Sequence, residues 1–276
     1  MIRRVLHAWA DGAAAFAATL EEQDPSWGSA TFELAGGRAV LWGRGLYVNR
    51  ALAAGVDRAM TAADFETLER LSDAVGVPSA IEVTPETLAS VAELAAARGY
   101  VATGVVTALR HDLTGATGRG GGGVGGVDGV IVEPADVSTW QAIASAAWGH
   151  EQPAARRASD AYAAAAAVVD GDGFVIARDA RDGRPIGCAT LSMRDGIATL
   201  AGMSTLPSER RRGVQAALVH HRLRRAREAG CGVATSTTVA GGASERNLRR
   251  LGFEPWFEVT TLARSAESVG RRVPRR

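Results

Sequence analysis

The segment LPSERRRGVQAAL, residues 206–218, decides the fold of the second half of the chain. Leu206 and Pro207 end an apolar segment, three arginines follow at 210–212, and an apolar pattern of helical period begins after Gly213. This order predicts a strand, a tight basic turn and a helix. Because the first amides of a helix are unpaired and carry partial positive charge, such a turn holds an anion, and glycine lets a phosphate approach the backbone. The segment therefore predicts a binding site for a diphosphate.

The elements predicted around this turn have a regular order. Before it, GFVIARDA, PIGCATLSMRDG and IATLAGMSTLP are apolar segments separated by Asp-Gly turns, which predicts an antiparallel meander. After it, residues 233–238 predict a short strand, residues 243–251 a short helix and residues 252–262 a closing strand.

Together these features, over residues 130–264, resemble the GNAT superfamily of N-acetyltransferases. Its signature Q/R-x-x-G-x-G/A corresponds to Arg210, Gly213 and Gln215, and Gln215 departs from the usual Gly or Ala. The resemblance implies acetyl-CoA as cosubstrate and no metal. It implies that the strand backbone lies beside the pantetheine at Met203, Ser204, Thr205 and Leu206. It also implies that the diphosphate is held by Arg210, Arg211, Arg212, Gly213, Val214, Gln215 and Ala216.

The catalytic groups are less clearly indicated. The tyrosine that many family members place before the final Gly-Phe is Leu248 here. Ser244 and Asn247, on the short helix near the departing thiol, are the candidates to protonate it, although Ser244 at a helix start is equally explained as an N-cap. His150 is the candidate base, and packing against Trp148 is its alternative role. Trp148 and Glu151 are the candidate acceptor contacts.

Composition indicates two domains. The chain has 276 residues, 46% of them apolar, which is enough for sizeable cores. Residues 115–129 are too glycine-rich to pack and predict a flexible linker between domains at 1–114 and 130–265, with a basic, disordered tail at 266–276. Up to residue 129 there are 10 arginines against 15 acidic residues, and afterwards 21 against 15. The half that carries the diphosphate motif is therefore the basic one.

The first half predicts a second α/β unit. A strand at 38–45 and a helix at 62–76 come first, and strand SAIEV, helix PETLASVAELAAARG and strand VATGVVTALRHDL follow. This unit resembles the degenerate first unit of two-unit GNAT proteins. The expected fold is therefore α/β (α+β), with two tandem GNAT-like units, each a mixed and mostly antiparallel sheet flanked by helices. Residues 45–55 would occupy the place of the diphosphate turn but carry no R-x-x-G-x-G, so we expect no coenzyme there.

The remaining features favour a cytoplasmic bacterial protein. No lysine is present, and the richness in alanine and glycine is typical of GC-rich coding. Cys188 and Cys231 lack metal-ligand spacing, so we interpret them as buried thiols. The acidic residues after the first apolar run predict an amphipathic helix rather than a secretory signal, and no apolar run approaches the roughly 20 residues of a membrane span. No feature specifies an oligomeric state.

Further arginines follow the turn. Those at 222, 224, 225 and 227 fall on the predicted helix, and Arg271, Arg272, Arg275 and Arg276 end the chain. We interpret them as a solvated helix face and tail, and a nucleic-acid footprint is the alternative.

The expected function is direct transfer of an acetyl group from acetyl-CoA to an amine of a small molecule. An aminoacyltransferase that uses aminoacyl-tRNA, favoured by the basic second half, is one alternative. A non-catalytic, acyl-CoA-binding regulatory protein is another.

We expect Gly213→Glu to abolish binding of acetyl-CoA, because it places bulk and negative charge where the phosphates lie. Ser244→Ala should leave binding intact. Calorimetric titration of both variants checks this, and normal binding by Gly213→Glu would place the site elsewhere.

Overall fold

The computed structural model describes residues 1–115, 127–150, 152–170 and 173–264. These residues form two compact units, one of residues 1–106 and 257–264 and the other of residues 107–256. Most of the predicted linker, at residues 116–126, lies outside the described residues. The predicted basic tail, at residues 266–276, also lies outside them.

The first unit alternates helices with short strands. Its elements in chain order are α1 (Ile2–Gln23), β1 (Ala30–Leu34), β2 (Gly37–Leu41), β3 (Asn49–Leu52), α2 (Ala62–Val75), β4 (Ser79–Val83), α3 (Ala89–Ala97) and the first part of β5 (Val101–Asp112). β1, β2 and β3 pair antiparallel, and β4 is parallel to β3. The end of β11 (Glu254–Arg264) pairs antiparallel with β4 and neighbours β5. Each predicted helix and strand is present, but the strand expected at 38–45 ends at Leu41 and the third helix begins at Ala89. Because β3 lies within 45–55, the turn that leads to α2 covers residues 53–61.

The second unit repeats this arrangement. Its elements are β6 (Val130–Pro134), α4 (Val137–Trp148), α5 (Pro153–Val169), β7 (Phe174–Asp179), β8 (Pro185–Arg194), β9 (Ile197–Thr205), α6 (Val214–Glu228), β10 (Val233–Val239) and α7 (Ala243–Arg250). β7 to β9 form the predicted antiparallel meander, and β6 extends it by pairing antiparallel with β7. β10 is parallel to β9, and the second part of β5 neighbours β10. The expected mixed, mostly antiparallel sheet is thus present in each unit.

The boundaries of the units differ from those expected at residues 114 and 130. β5 begins in the first unit and ends in the second, and β11 begins in the second and ends in the first. Consequently β4 neighbours β11, and β10 neighbours β5. A strand pattern in the sequence predicts a strand but not its partner, because register and pairing are decided by the sheet that receives it.

Apolar faces of the helices supply the cores. α6 buries Val214, Leu218, Val219, Leu223 and Ala226, the stripe that its period predicts. Among the described residues no helix is both long and apolar enough to cross a bilayer.

A buried polar cluster fixes the end of β11 in the first unit. Glu69 on α2 is buried and accepts hydrogen bonds from Arg98 at 2.9 and 2.7 Å, and Arg264 lies 3.0 Å away. Burial opposes ionisation of Glu69, but the two arginines outweigh it and lower its pKa. Tyr100, buried beside Glu69, has its pKa raised to about 12 by that burial. One carboxylate thus connects α2, the end of α3 and the last residue of β11.

We expect Glu69→Gln to lower the free energy of unfolding by about 3 kcal/mol, because it leaves two partly buried arginines without their counter-charge. Urea unfolding measures the loss. The matched control is Glu66→Gln, since Glu66 lies 3.9 Å from Arg98 but is 68% exposed, and it should change stability by less than about 0.5 kcal/mol. Equal losses in the two variants would contradict the structural role of the cluster.

Candidate functional site

A cleft forms in the second unit where two parallel strands part. β9 and β10 pair at only three positions, Ile197 to Thr199 against Val233 to Thr235. Beyond them β9 continues to Thr205, and its last residues, Met203 to Thr205, line the cleft. The cleft has a volume of about 750 Å³. A parting of parallel strands exposes backbone that no longer has a neighbouring strand, and such backbone can bind an extended ligand.

The turn from β9 to α6 has an unusual backbone. A short 3-10 helix at Pro207–Glu209 follows β9, and Arg211 and Gly213 both adopt left-handed conformations, with φ of 65° and 78°. A left-handed arginine is uncommon, and such residues occur preferentially at functional sites. Gly213 is the N-cap of α6 and makes no side-chain cap, so the helix begins where the motif predicts, with its first amides uncapped by a side chain.

Gly213 is also required by packing. A Cβ atom at this position would lie 2.5 Å from Cγ1 of Val127. Its left-handed φ would strain any other residue as well. Gly213→Glu therefore disturbs the turn itself in addition to any phosphate, and it is a less specific test than a change at a neighbouring arginine.

The side chain of Arg212 braces the turn and, unlike its neighbours Arg210 and Arg211, does not line the cleft. Its guanidinium donates to Asp179 at 2.8 Å and also to Glu209. Asp179 is fully buried at the end of β7, and hydrogen bonds from Arg181 and then Arg212 hold its pKa well below the usual range. Arg184 binds Glu209 at 2.9 Å and lowers the pKa of that carboxyl. The guanidinium of Arg212 is thus bonded to two carboxylates of the chain itself.

Arg210 and Arg211 differ from Arg212 in having no such partner. Both side chains are exposed and line the cleft, and neither makes an ion pair or hydrogen bond with any residue that the structure describes. The three adjacent arginines of the motif therefore divide into one structural residue and two cations that remain available to an anion.

The structure brings most of the predicted residues together. The cleft is lined by Trp148, Met203, Ser204, Thr205, Arg210, Arg211, Gly213, Val214, Gln215, Ala216, Ser244 and Asn247. Leu206 is an exception, since it lines a shallow neighbouring groove with Pro185 and the outer face of α4. β9 ends at Thr205, and the chain turns away from the cleft at Leu206.

α7 closes one side of the cleft through its side chains. Asn247 donates from Nδ2 to Oε1 of Gln215 at 2.6 Å, and Arg250 donates to Oδ1 of Asn247 at 3.1 Å. Gln215, which departs from the family pattern, therefore bridges α6 and α7. Arg250 also lines the cleft and was missed from the sequence. Its spacing of three residues from Asn247 on a helix was the available signal.

Ser244 has a free hydroxyl at the cleft. It is exposed, lines the cleft and makes no hydrogen bond within the described residues. The N-cap of α7 is Gly242, and Glu245 accepts the nearby amide of Gly241 at 2.7 Å. The alternative role of Ser244 as an N-cap is thus wrong, because the helix begins two residues earlier than that role requires.

The predicted acceptor residues are only partly at the cleft. Trp148, at the end of α4, lines it and is 43% exposed. His150 is not among the lining residues and packs against the Trp148 ring at 5.6 Å. Glu151 lies outside the described residues. The packing role of His150 is therefore the one that its contacts favour. Within the described ranges no group of His, Cys, Asp and Glu is arranged to hold a metal.

A known protein family matches most of the second unit. Residues 137–253 match the model of the Acetyltransferase (GNAT) family. This range begins with α4 and ends just before β11, so it includes the turn, α6 and α7. No curated protein sequence matches the chain significantly.

Solved structures show the same fold over most of the chain. A GCN5-related N-acetyltransferase from Kribbella flavida is 22% identical with a TM-score of 0.62, and the match covers 91% of this chain and 95% of that one. A tandem GNAT protein from the clavulanic acid biosynthesis pathway is 15% identical with a TM-score of 0.59, covering 86% and 79%. A GCN5-related N-acetyltransferase from Sphaerobacter thermophilus is 13% identical with a TM-score of 0.57, covering 78% and 71%. These matches extend over both units and confirm the tandem GNAT fold.

We expect Arg212→Met to lower the melting temperature by a few degrees, because it leaves the buried Asp179 carboxylate with one fewer partner. Arg211→Met, one residue earlier, removes an unpaired side chain and should leave the melting temperature unchanged. Thermal unfolding of the pair measures this, and an equal loss in both would show that the turn depends on total charge rather than on the Arg212 contacts.

Proposed function

We propose that the second unit, whose residues 137–253 match the model of the Acetyltransferase (GNAT) family, transfers an acetyl group from acetyl-CoA directly to an amine of a small molecule. The observation that carries this proposal is the cleft itself. A left-handed basic turn, a helix end without a side-chain cap and a strand edge past its pairing with β10 meet around one volume of about 750 Å³.

The residues of the turn fit a diphosphate. The first amides of α6 and the unpaired cations of Arg210 and Arg211 offer both kinds of group that bind phosphate oxygens. Arg250 adds a further cation at the same cleft. In this proposal the guanidinium of Arg212 holds the turn and does not contact the coenzyme.

The pantetheine arm is assigned to the edge of β9 opposite β8, past the last pair with β10. Met203, Ser204 and Thr205 lie past the last pair with β10, so their peptide groups can bond an extended amide chain. Acetyl-CoA supplies the activated acyl group. The protein's part is to position that group and to handle the protons.

Ser244 is the proposed proton donor to the departing thiolate. Its hydroxyl is exposed at the cleft and free of other bonds to the described residues, whereas Asn247 is held by Gln215 and Arg250. Asn247 then positions α7 against α6 rather than moving a proton. Trp148 is assigned to the acceptor side of the cleft because its ring is exposed there.

The first unit is proposed to bind no coenzyme. Its counterpart of the turn leads to α2, whose N-terminus carries a capping box formed by Thr61 and Asp64. Arg58 donates twice to Asp64, at 2.9 and 3.1 Å, and this contact lowers the pKa of Asp64 to about 2. A carboxylate of the chain thus occupies the helix end where a phosphate would bind.

We expect calorimetric titration with acetyl-CoA to give one site per chain. Arg211→Met should bind about tenfold more weakly, because it loses a charge-assisted contact to phosphate. The matched control is Arg227→Met, which removes an exposed arginine of α6 that does not line the cleft and should bind normally.

Other outcomes separate the alternatives. Absence of binding by the parent protein, together with salt-sensitive binding of aminoacyl-tRNA, would replace acetyl-CoA as the donor. Tight binding without turnover across a panel of amines would indicate a regulatory, acyl-CoA-binding protein. Two sites per chain would contradict the assignment of the first unit.

A further inference from the structure

One arginine of α6 lies where the sequence predicted a solvated face. Arg222 is fully buried, whereas Arg224 and Arg227 on the same helix are exposed. No carboxylate of the described residues forms an ion pair with Arg222. A buried charge is costly unless its donors are satisfied, so its partners indicate what it does.

The partners of Arg222 are mainly backbone carbonyls. Nε donates to the carbonyl of Leu218 at 3.1 Å, and Nη1 donates to those of Thr190 at 2.9 Å and Ala201 at 3.2 Å. Nη2 donates to Sδ of Met203 at 3.0 Å. The guanidinium therefore joins α6 to β8 and β9.

Two of these carbonyls, those of Thr190 and Ala201, belong to the residue pair at one end of an irregularity in the sheet. Cys188 pairs with Ser204 and Thr190 pairs with Ala201, so β9 has one residue more than β8 between the two pairs. The extra residue makes a bulge, and Gly202 within it has a φ of 55°. A bulge interrupts the ladder of hydrogen bonds, and Arg222 donates to both carbonyls of the Thr190–Ala201 pair, at which the regular ladder resumes.

The bulge lies directly before the part of β9 that lines the cleft. The sulfur of Met203 accepts the hydrogen bond from Nη2 of Arg222, and Met203 and Ser204 both line the cleft. Ser204 is held from behind by the buried thiol of Cys188, with 3.2 Å between Oγ and Sγ. Arg222 thus sets a desolvated positive charge behind this wall of the cleft.

We propose that Arg222 is a positioning residue for acyl transfer, which clamps the bulge of β9 and polarises the acyl carbonyl held against Met203 and Ser204. This inference rests on the proposed function. A fixed charge in a dry environment stabilises negative charge that develops on a carbonyl oxygen, and the rigid fork keeps it in place without reorganisation.

The test is the infrared carbonyl band of acetyl-CoA labelled with ¹³C at the thioester carbon, recorded free and bound. In the parent protein, binding should move the band to lower frequency, because polarisation weakens the C=O bond. Arg222→Met, an apolar replacement of similar length, should bind acetyl-CoA but lose this shift. A purely structural role for Arg222 would leave the shift in place, so a full shift in Arg222→Met overturns the inference, as does the absence of a shift in the parent protein.

Two further variants keep the test decisive if Arg222→Met does not fold. Arg222→Lys retains the charge without the planar fork and should show a reduced shift, so a shift equal to that of the parent would overturn the clamping role. Arg227→Met keeps Arg222 and removes an exposed arginine of the same helix that does not line the cleft, so it should keep the shift, and a complete loss there would assign the effect to the total charge of α6 instead. Failure of the parent protein to bind acetyl-CoA would contradict the proposed function. A binding measurement tests this separately from the position of the infrared band.

Discussion

The parting of β9 from β10 after three paired residues is the constraint on which the rest of the second unit depends. Two parallel strands that remained paired would satisfy each other's peptide groups and leave no cleft. The bulge at Gly202 lies in β9 after this pairing ends, and Arg222 donates to the two carbonyls of the residue pair beside it. Met203 to Thr205 keep their pairing side toward β8, have no β10 partner and line the cleft together with the basic turn.

Arginine serves opposite purposes at neighbouring positions in this chain. Arg212 and Arg222 are consumed by internal acceptors, the first by carboxylates and the second by backbone carbonyls. Arg210 and Arg211 make no such contacts with the described residues and face the cleft. Because guanidinium keeps its charge and offers five donors in a rigid plane, the same side chain can brace a fold or bind an anion. In a chain without lysine, burial and available acceptors decide between these uses.

The two units share a strand order but not a site. In each, an antiparallel meander leads to a parallel pair of strands through a turn and a helix. In the second unit the helix after the turn begins at a glycine without a side-chain cap, whereas in the first it begins at a Thr61–Asp64 capping box. In the proposed function, this difference at one helix end decides which of the two units binds an anion, and a shared fold then does not imply a shared site.

The sequence by itself determined the tandem fold, the helix that begins after Gly213 and the group of residues that lines the cleft, because hydrophobic period, turn residues and motif spacing act locally. Only the tertiary structure decided which neighbour β5 and β11 pair with, and that Arg212 braces the turn while Arg222 is buried behind the cleft. Those outcomes depend on groups distant in the chain, such as Asp179 for Arg212 and Thr190 for Arg222. Arginines at helical spacing indicate a solvated face. That prediction fails when backbone carbonyls near a bulge lack donors, and such carbonyls exist only once the sheet has formed.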